Sequence, residues 1–195
     1  MVAITWIKPA GAEYASVRIG TDLLHASGLA IGAVPVPYHL HYTLTCGQDY
    51  VTRELSVRTY GEGWSRSLRL ARDAGGSWQL TTEADGEAGL PAPGGDPAAL
   101  AGVLDCDLGE CPVTNTMPVL RHGLLSGGEP IDFAMAWVSV PALAVHVNAQ
   151  RYTFLRQLPG TGGAVINYSS GDFSADVSFD KDGLVVDYPG LATRA

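Results

Sequence analysis

Charge is scarce in this chain. Charged residues fill 16% of its 195 positions, against about 25% in an ordinary soluble domain. The shortage falls on the basic side, with 12 Lys and Arg against 20 Asp and Glu and a formal net charge of −8. Binding nucleic acid requires a clustered basic face. Here the basic residues are scattered and nearly all Arg, which argues against such a partner. Cysteine is sparse too. Three Cys cannot all pair within one chain, and Cys106 and Cys111 lack the further ligands of a zinc site, so reduced thiols and no metal centre are expected. No apolar run approaches the length of a membrane-spanning helix. The opening residues, Met1–Trp6, lack a basic segment followed by an apolar one, so the expected location is cytoplasmic.

Helical periodicity is also missing, as are the common catalytic signatures. No stretch of a dozen residues repeats its apolar positions with a helical period. There is no Gly-x-Ser-x-Gly elbow, and the Gly160-Thr161-Gly162-Gly163 cluster is not followed by the Lys-Ser/Thr of a phosphate loop. No catalytic residue and no cofactor are therefore assigned.

What is present is apolar surface in excess and alternation. The hydrophobic residues amount to 46%, and counting Gly in place of Tyr raises the share to about 54%, above the usual 45–50%. Such an excess needs a large core, an apolar cavity or an interface between subunits. Tyr38, Leu40, Tyr42, Leu44 and Cys46 alternate with His39, His41, Thr43 and Thr45. A second run sets Val51, Arg53, Leu55, Val57 and Thr59 against Thr52, Glu54, Ser56, Arg58 and Tyr60, across a Gly47-Gln48-Asp49 turn. Ser67–Arg72 and Trp78–Thr82 form another hairpin through Asp73-Ala74-Gly75-Gly76. Residues 84–102 read as a long Gly/Pro-rich surface loop with a short helical turn near Pro97–Leu100. Beyond it, Met117–Leu125 and Ile131–Val140 are predicted to pair as strands, followed by strands over 143–155, 164–169, 173–180 and 183–188. The sum is one all-β domain over residues 1–195, an antiparallel meander of roughly ten to thirteen strands.

A few residues invite a chemical reading. Arg53 falls among apolar neighbours on what should be the inward face, where an unpaired charge is costly. It needs a carboxylate, with Glu13, Asp105, Asp107 and Asp187 as candidates, or a polar ligand head. Asp105 and Asp107 share a strand face and could do acid–base work or hold a cation, but satisfying turn amides near Gly109–Pro112 is the commoner role. His39 and His41 share a face that is expected to be exposed, and no third ligand accompanies them. The Thr114-Asn115-Thr116 run is expected to brace the backbone between Pro112 and Pro118. Trp6, Trp64, Trp78 and Trp137 cannot be divided by sequence into core and ligand platform.

These stretches, taken together, resemble the glycolipid-binding family of bacterial proteins, once catalogued as a domain of unknown function. The resemblance rests on Trp6 with Gly11-Ala12-Glu13, Tyr42-Thr43-Leu44 followed by Val51-Thr52-Arg53, and Leu68–Asp73 with Gly76-Ser77-Trp78. It continues through Leu104-Asp105-Cys106-Asp107-Leu108, Cys111–Pro118 with Arg121, Val140–Leu143, Gln150-Arg151-Tyr152-Thr153, Phe173–Asp176 and Asp180–Leu191. It implies an antiparallel sheet curved into a splayed or half-open β-barrel, similar in shape to periplasmic lipoprotein carriers and to a mycobacterial lipid carrier. It also implies binding of a lipid or glycolipid rather than catalysis. The chain departs from the family pattern at Ile7-Lys8, where a basic residue usually follows the Trp directly, and in the length of the 84–102 loop, a candidate for reshaping a cavity mouth. The candidate ligand contacts are Arg53, Glu13, Asp105, Asp107, Asn115, Arg121, Gln150 and Tyr152. Two other readings stay open: an enzyme acting on a hydrophobic small molecule, with Asp105, Asp107 and Arg53 in its pocket, and a structural or regulatory module whose apolar excess forms a homodimer interface.

Overall fold

The computed structural model describes residues 1–195. Its strands are β1 (Val2–Lys8), β2 (Gly11–Gly20), β3 (Leu23–Gly32), β4 (Tyr38–Cys46), β5 (Thr52–Gly61), β6 (Trp64–Arg72), β7 (Trp78–Asp85), β8 (Asp105–Leu108), β9 (Ile131–Val138), β10 (Val145–Gln157), β11 (Ala164–Ser170), β12 (Phe173–Phe179), β13 (Val185–Tyr188) and β14 (Ala192–Arg194). The α-helix is α1 (Thr116–Arg121), with 3-10 turns at Gln48–Tyr50, Pro97–Leu100, Pro112–Asn115 and Leu124–Ser126. The strands form a single sheet in the order β7-β6-β5-β4-β3-β2-β1-β14-β13-β12-β11-β10-β9-β8. A twisted sheet of this width curls rather than lying flat. Curling gathers the inward side chains into one buried cluster that includes Trp6, Leu40, Leu44, Tyr152 and Phe179.

The alternation of β4 is met residue for residue. Tyr38, Leu40, Tyr42, Leu44 and Cys46 are buried, while His39 and His41 face outward. The pairing of β4 with β5 holds from Tyr60 down to Glu54 and then slips, so that Cys46 faces Thr52. Arg53 is the extra residue of this β-bulge. A bulge reverses which residues point inward beyond it, and the expected inward position of Arg53 is thereby overturned: Thr52 is buried and Arg53 is exposed. Its expected carboxylate partner falls with it, because Glu13 and Asp105 are paired with Lys8 and Arg121 instead.

Residues 117–125 are a second correction. They form α1 and a 3-10 turn rather than a strand. Met117 and Val119 alternate as a strand would, yet Pro118 between them and Thr116 before them are buried as well. Four consecutive buried residues carry no face for periodicity to report. Because α1 lies on the path from β8 to β9, the chain makes a crossover, and these two strands pair in parallel while every other neighbouring pair is antiparallel. The three N-terminal strands, which the alternation had not marked, turn Ile4, Trp6, Ala15, Val17 and Ala26 inward.

β7 and β8 are the two free edges of the sheet. The segment between them, residues 86–104, crosses from one edge to the other and laces the gap through carbonyl groups. Trp78 Nε1 and Arg72 Nε donate to the Val103 carbonyl, at 3.0 and 3.2 Å. The Thr52 amide donates to Leu104 O, and Gly94 exchanges backbone hydrogen bonds with Leu143 and Val145. Arg66, inward-facing and buried on β6, does most. Its guanidinium donates to the carbonyls of Pro91, of Ala142 at 2.9 Å and of Leu90 at 3.1 Å. The buried, carboxylate-free arginine of the inner face is Arg66, not Arg53. Removing its donors would leave the buried Ala142 carbonyl unpaired and free the loop carbonyls of Leu90 and Pro91. Arg66→Met should therefore lower stability by about 2–3 kcal/mol, whereas Arg53→Met should stay within about 0.5 kcal/mol of the parent. Urea denaturation midpoints of the two variants decide it, and equal losses would refute the assignment.

Candidate functional site

The segment 111–119, which follows the edge strand β8, is buried throughout, and three polar groups fasten it and β8 to their surroundings. Arg121, at the end of α1, meets the buried Asp105 carboxylate with both terminal nitrogens, at 2.5 and 2.6 Å, while its Nε donates to Asp49 O. Two positions on, Asp107 accepts from Thr114 Oγ1 at 2.8 Å and from Gln150 Nε2 at 2.7 Å. Asn115 Nδ2 donates to the Tyr152 hydroxyl at 2.7 Å. The two aspartates thus take side-chain partners rather than the turn amides expected of them. Asn115 likewise bonds across to β10 instead of bracing its own backbone. Six of the eight candidate contacts are tied in three pairs: Asp105 with Arg121, Asp107 with Gln150, and Asn115 with Tyr152.

Glu13 belongs to a neighbouring buried group. It accepts from Lys8 Nζ at 2.6 Å and from the Tyr42 hydroxyl at 2.8 Å. Burial pulls the Lys8 pKa down while Cys111 and Glu13 push it up, and the net direction is upward. Burial likewise lifts the Tyr38 hydroxyl beside this group to about 12. Arg53 joins neither cluster.

Asp107 and Asn115 open onto a cleft of about 520 Å³. Their cleft is walled by Trp137 of β9, Tyr168 of β11, Phe173 of β12 and Tyr188 of β13, with His146, Asn148 and Ser170 adding polar groups. Trp137 leans on His146 with ring centres 4.8 Å apart, and Tyr168 contacts both Phe173 and Tyr188. Gly109 allows the Trp137 indole its place, since a Cβ there would lie 3.2 Å from the ring. Of the four tryptophans, Trp6, Trp64 and Trp78 are core and Trp137 is the half-buried one that faces the cleft. Sequence reasoning left Trp137 undivided from the core tryptophans and missed Phe173 and Tyr188, and the three come from three separate strands. No Lys or Arg lines the cleft.

Burial drives the Asp107 carboxyl above the usual carboxylate range; the hydrogen bonds from Thr114 and Gln150 act the other way, and Asp105 adds to the rise. The folded protein therefore binds more protons than the unfolded chain between the ordinary Asp value, near 3.9, and the raised value. Stability from this group is present below that window and is lost as pH rises through it. Asp107→Asn should abolish this fall, read as urea midpoints between about pH 4 and pH 8; an unchanged fall would assign it to another group. Asn115→Ala should lower stability by about 1–3 kcal/mol through loss of the Tyr152 hydrogen bond, measured the same way, and an unaltered midpoint would contradict the bond's structural weight.

Comparison with protein-family models gives a match over residues 3–194 to a family described as "Putative glycolipid-binding". Among solved structures the chain is similar to a DUF1089 family protein from Pseudomonas aeruginosa, known from a crystal structure. The two share 32% identity at a TM-score of 0.69, over 94% of this chain and 92% of the other. Comparison with curated proteins finds none that matches.

Proposed function

Because the chain belongs to this glycolipid-binding family, we propose that it binds the sugar head of an amphiphile in the cleft above Asp107 and Asn115, without altering it. The observation that carries the reading is the composition of that cleft. Aromatic walls stand over a floor of buried hydrogen-bonding groups. A sugar offers both complements, hydroxyl groups for a carboxyl and amides, and a CH-lined ring face for an aromatic side chain. Fixed polar groups confer orientation, and here they are held by their neighbours: Asp107 by Thr114 and Gln150, Asn115 by Tyr152. Of the contacts named from sequence, Asp107 and Asn115 would touch the ligand. Gln150, Tyr152, Asp105 and Arg121 would position those two, and Arg53 would do neither.

Catalysis would rest on the same Asp107, a buried acid facing a cleft. Asp105, held by both nitrogens of Arg121, is not free to assist.

Native mass spectrometry of the protein purified from its own host should show a bound amphiphile. Calorimetric titration with methyl and octyl glucosides, galactosides and mannosides should then find at least one that binds, and Trp137→Ala should weaken it by about tenfold. Release of free sugar during the titration would turn the reading to catalysis. An empty protein that binds none of the glycosides would refute it.

A further inference from the structure

The bulge that turns Thr52 inward gathers sulfur atoms around its hydroxyl. Thr52 Oγ1 lies 3.6 Å from Cys106 Sγ and 3.5 Å from Met117 Sδ. Cys46, which faces Thr52 across the β4–β5 pair, brings its Sγ to 3.0 Å from the same Met117 Sδ. One sulfur thus comes from each of β4, β8 and α1, and all four residues are at most 2% exposed. Spacing along the chain gave no metal centre because it sets Cys106 beside Cys111. In the fold Cys106 joins Cys46 and Met117, while Cys111 stands with Glu13 and Lys8.

A single buried thiol is ordinarily an inert core residue. Here two thiols and a thioether converge with no free carboxylate or imidazole among them, since the nearby Asp105 is held by Arg121. Donors of this kind select soft ions, copper(I) among them. A structural zinc ion takes four ligands, and this group offers three. Burial, with the charges of Cys106 and Asp105 behind it, raises the Cys46 thiol, and burial raises that of Cys106 as well. Both sulfurs therefore keep their protons at neutral pH, and only an ion that competes strongly with protons for sulfur displaces them.

We propose that Cys46, Cys106 and Met117 form a binding site for one soft monovalent metal ion, copper(I) or its analogue silver(I), independent of the cleft. Binding forms one metal–sulfur bond to each residue and releases the two thiol protons to solvent, and no electron is transferred. The Thr52 hydroxyl, which accepts from the Cys106 amide at 3.1 Å, keeps its own proton to donate to a thiolate. The ion takes the place of the thiol protons, and the Met117 side chain, with three rotatable bonds, adjusts to it. Cys46 ends β4, and the exposed turn Gln48–Tyr50 begins two residues on, so the group lies close under a surface turn.

The test is anaerobic titration of the folded protein with copper(I) in competition with the chelator bicinchoninate, and with silver(I) in parallel. One ion per chain should bind, with an ultraviolet thiolate-to-copper charge-transfer band. Met117→Leu, close in volume to the parent, should weaken binding at least about tenfold, no less than loss of an outer partner costs. Thr52→Val, which removes such a partner, should weaken it by about 10–100-fold. Cys46→Ala and Cys106→Ala should each abolish retention against the chelator, and Cys111→Ala should leave it intact. Circular dichroism verifies the fold of each variant; should a cysteine variant not fold, Met117→Leu and Cys111→Ala decide. The unfolded chain keeps the same thiols, so a urea midpoint raised by one equivalent of silver(I) marks the folded arrangement as the better ligand. Copper(I) surrendered entirely to the chelator overturns the proposal, as does a midpoint that silver(I) leaves unmoved. Binding that disappears with Cys111, or that is indifferent to Met117→Leu, overturns it as well.

Discussion

The structure depends on closing the gap between two strand edges that do not pair. A sheet with one apolar face must bury that face, and here it does so by curling until β8 meets the start of β5, where the Cys106 amide donates to Thr52 Oγ1. A closed barrel would satisfy the edges by a continuous ladder. This protein instead lays residues 86–104 over the gap and holds them by carbonyls, with Arg66 reaching both the loop and Ala142 on the far side. The long loop, which from sequence looked like an accessory to a cavity mouth, is the seam of the fold. Arginine suits the task because its planar fork offers several donors in fixed directions.

Once the seam is closed, the space that an open interior would offer a ligand is largely filled by side chains of β8 and of the segment that follows it, including Cys106, Leu108, Val113, Met117 and Val119. The cleft is what remains at the margin of that filling. Its polar floor survives burial because each group has a partner. A buried carboxyl such as Asp107 would be costly alone, and a buried pair such as Asp105 with Arg121 balances desolvation against attraction rather than adding much stability. Their service is positional: they fix where Asp107 and Asn115 stand relative to Trp137 and Tyr188. The cleft then presents aromatic walls over a hydrogen-bonding floor.

The division of labour between sequence and tertiary structure runs through particular residues. Alternation read from β4 was right at every position, and the hairpins of β4–β5 and β6–β7 followed from their turns, because the two-residue period and turn chemistry are properties of adjacent residues. The resemblance to the family rested on short motifs in order, and order along the chain is also a property of sequence alone. Reading Trp64 and Arg66 back from Leu68 and Leu70 would have placed Arg66 on the inner face by the same rule. What lay beyond reach was set by contacts between distant segments. The bulge that turned Arg53 outward and Thr52 inward exists only in the pairing of two strands. The helical state of Thr116–Arg121 left no alternation to read, because Thr116–Val119 are buried one after another. Asp107, Asn115, Trp137 and Phe173 became one site only when the sheet curled and its seam closed, since sequence determines which residues can alternate, and the packing of remote elements determines which of them meet.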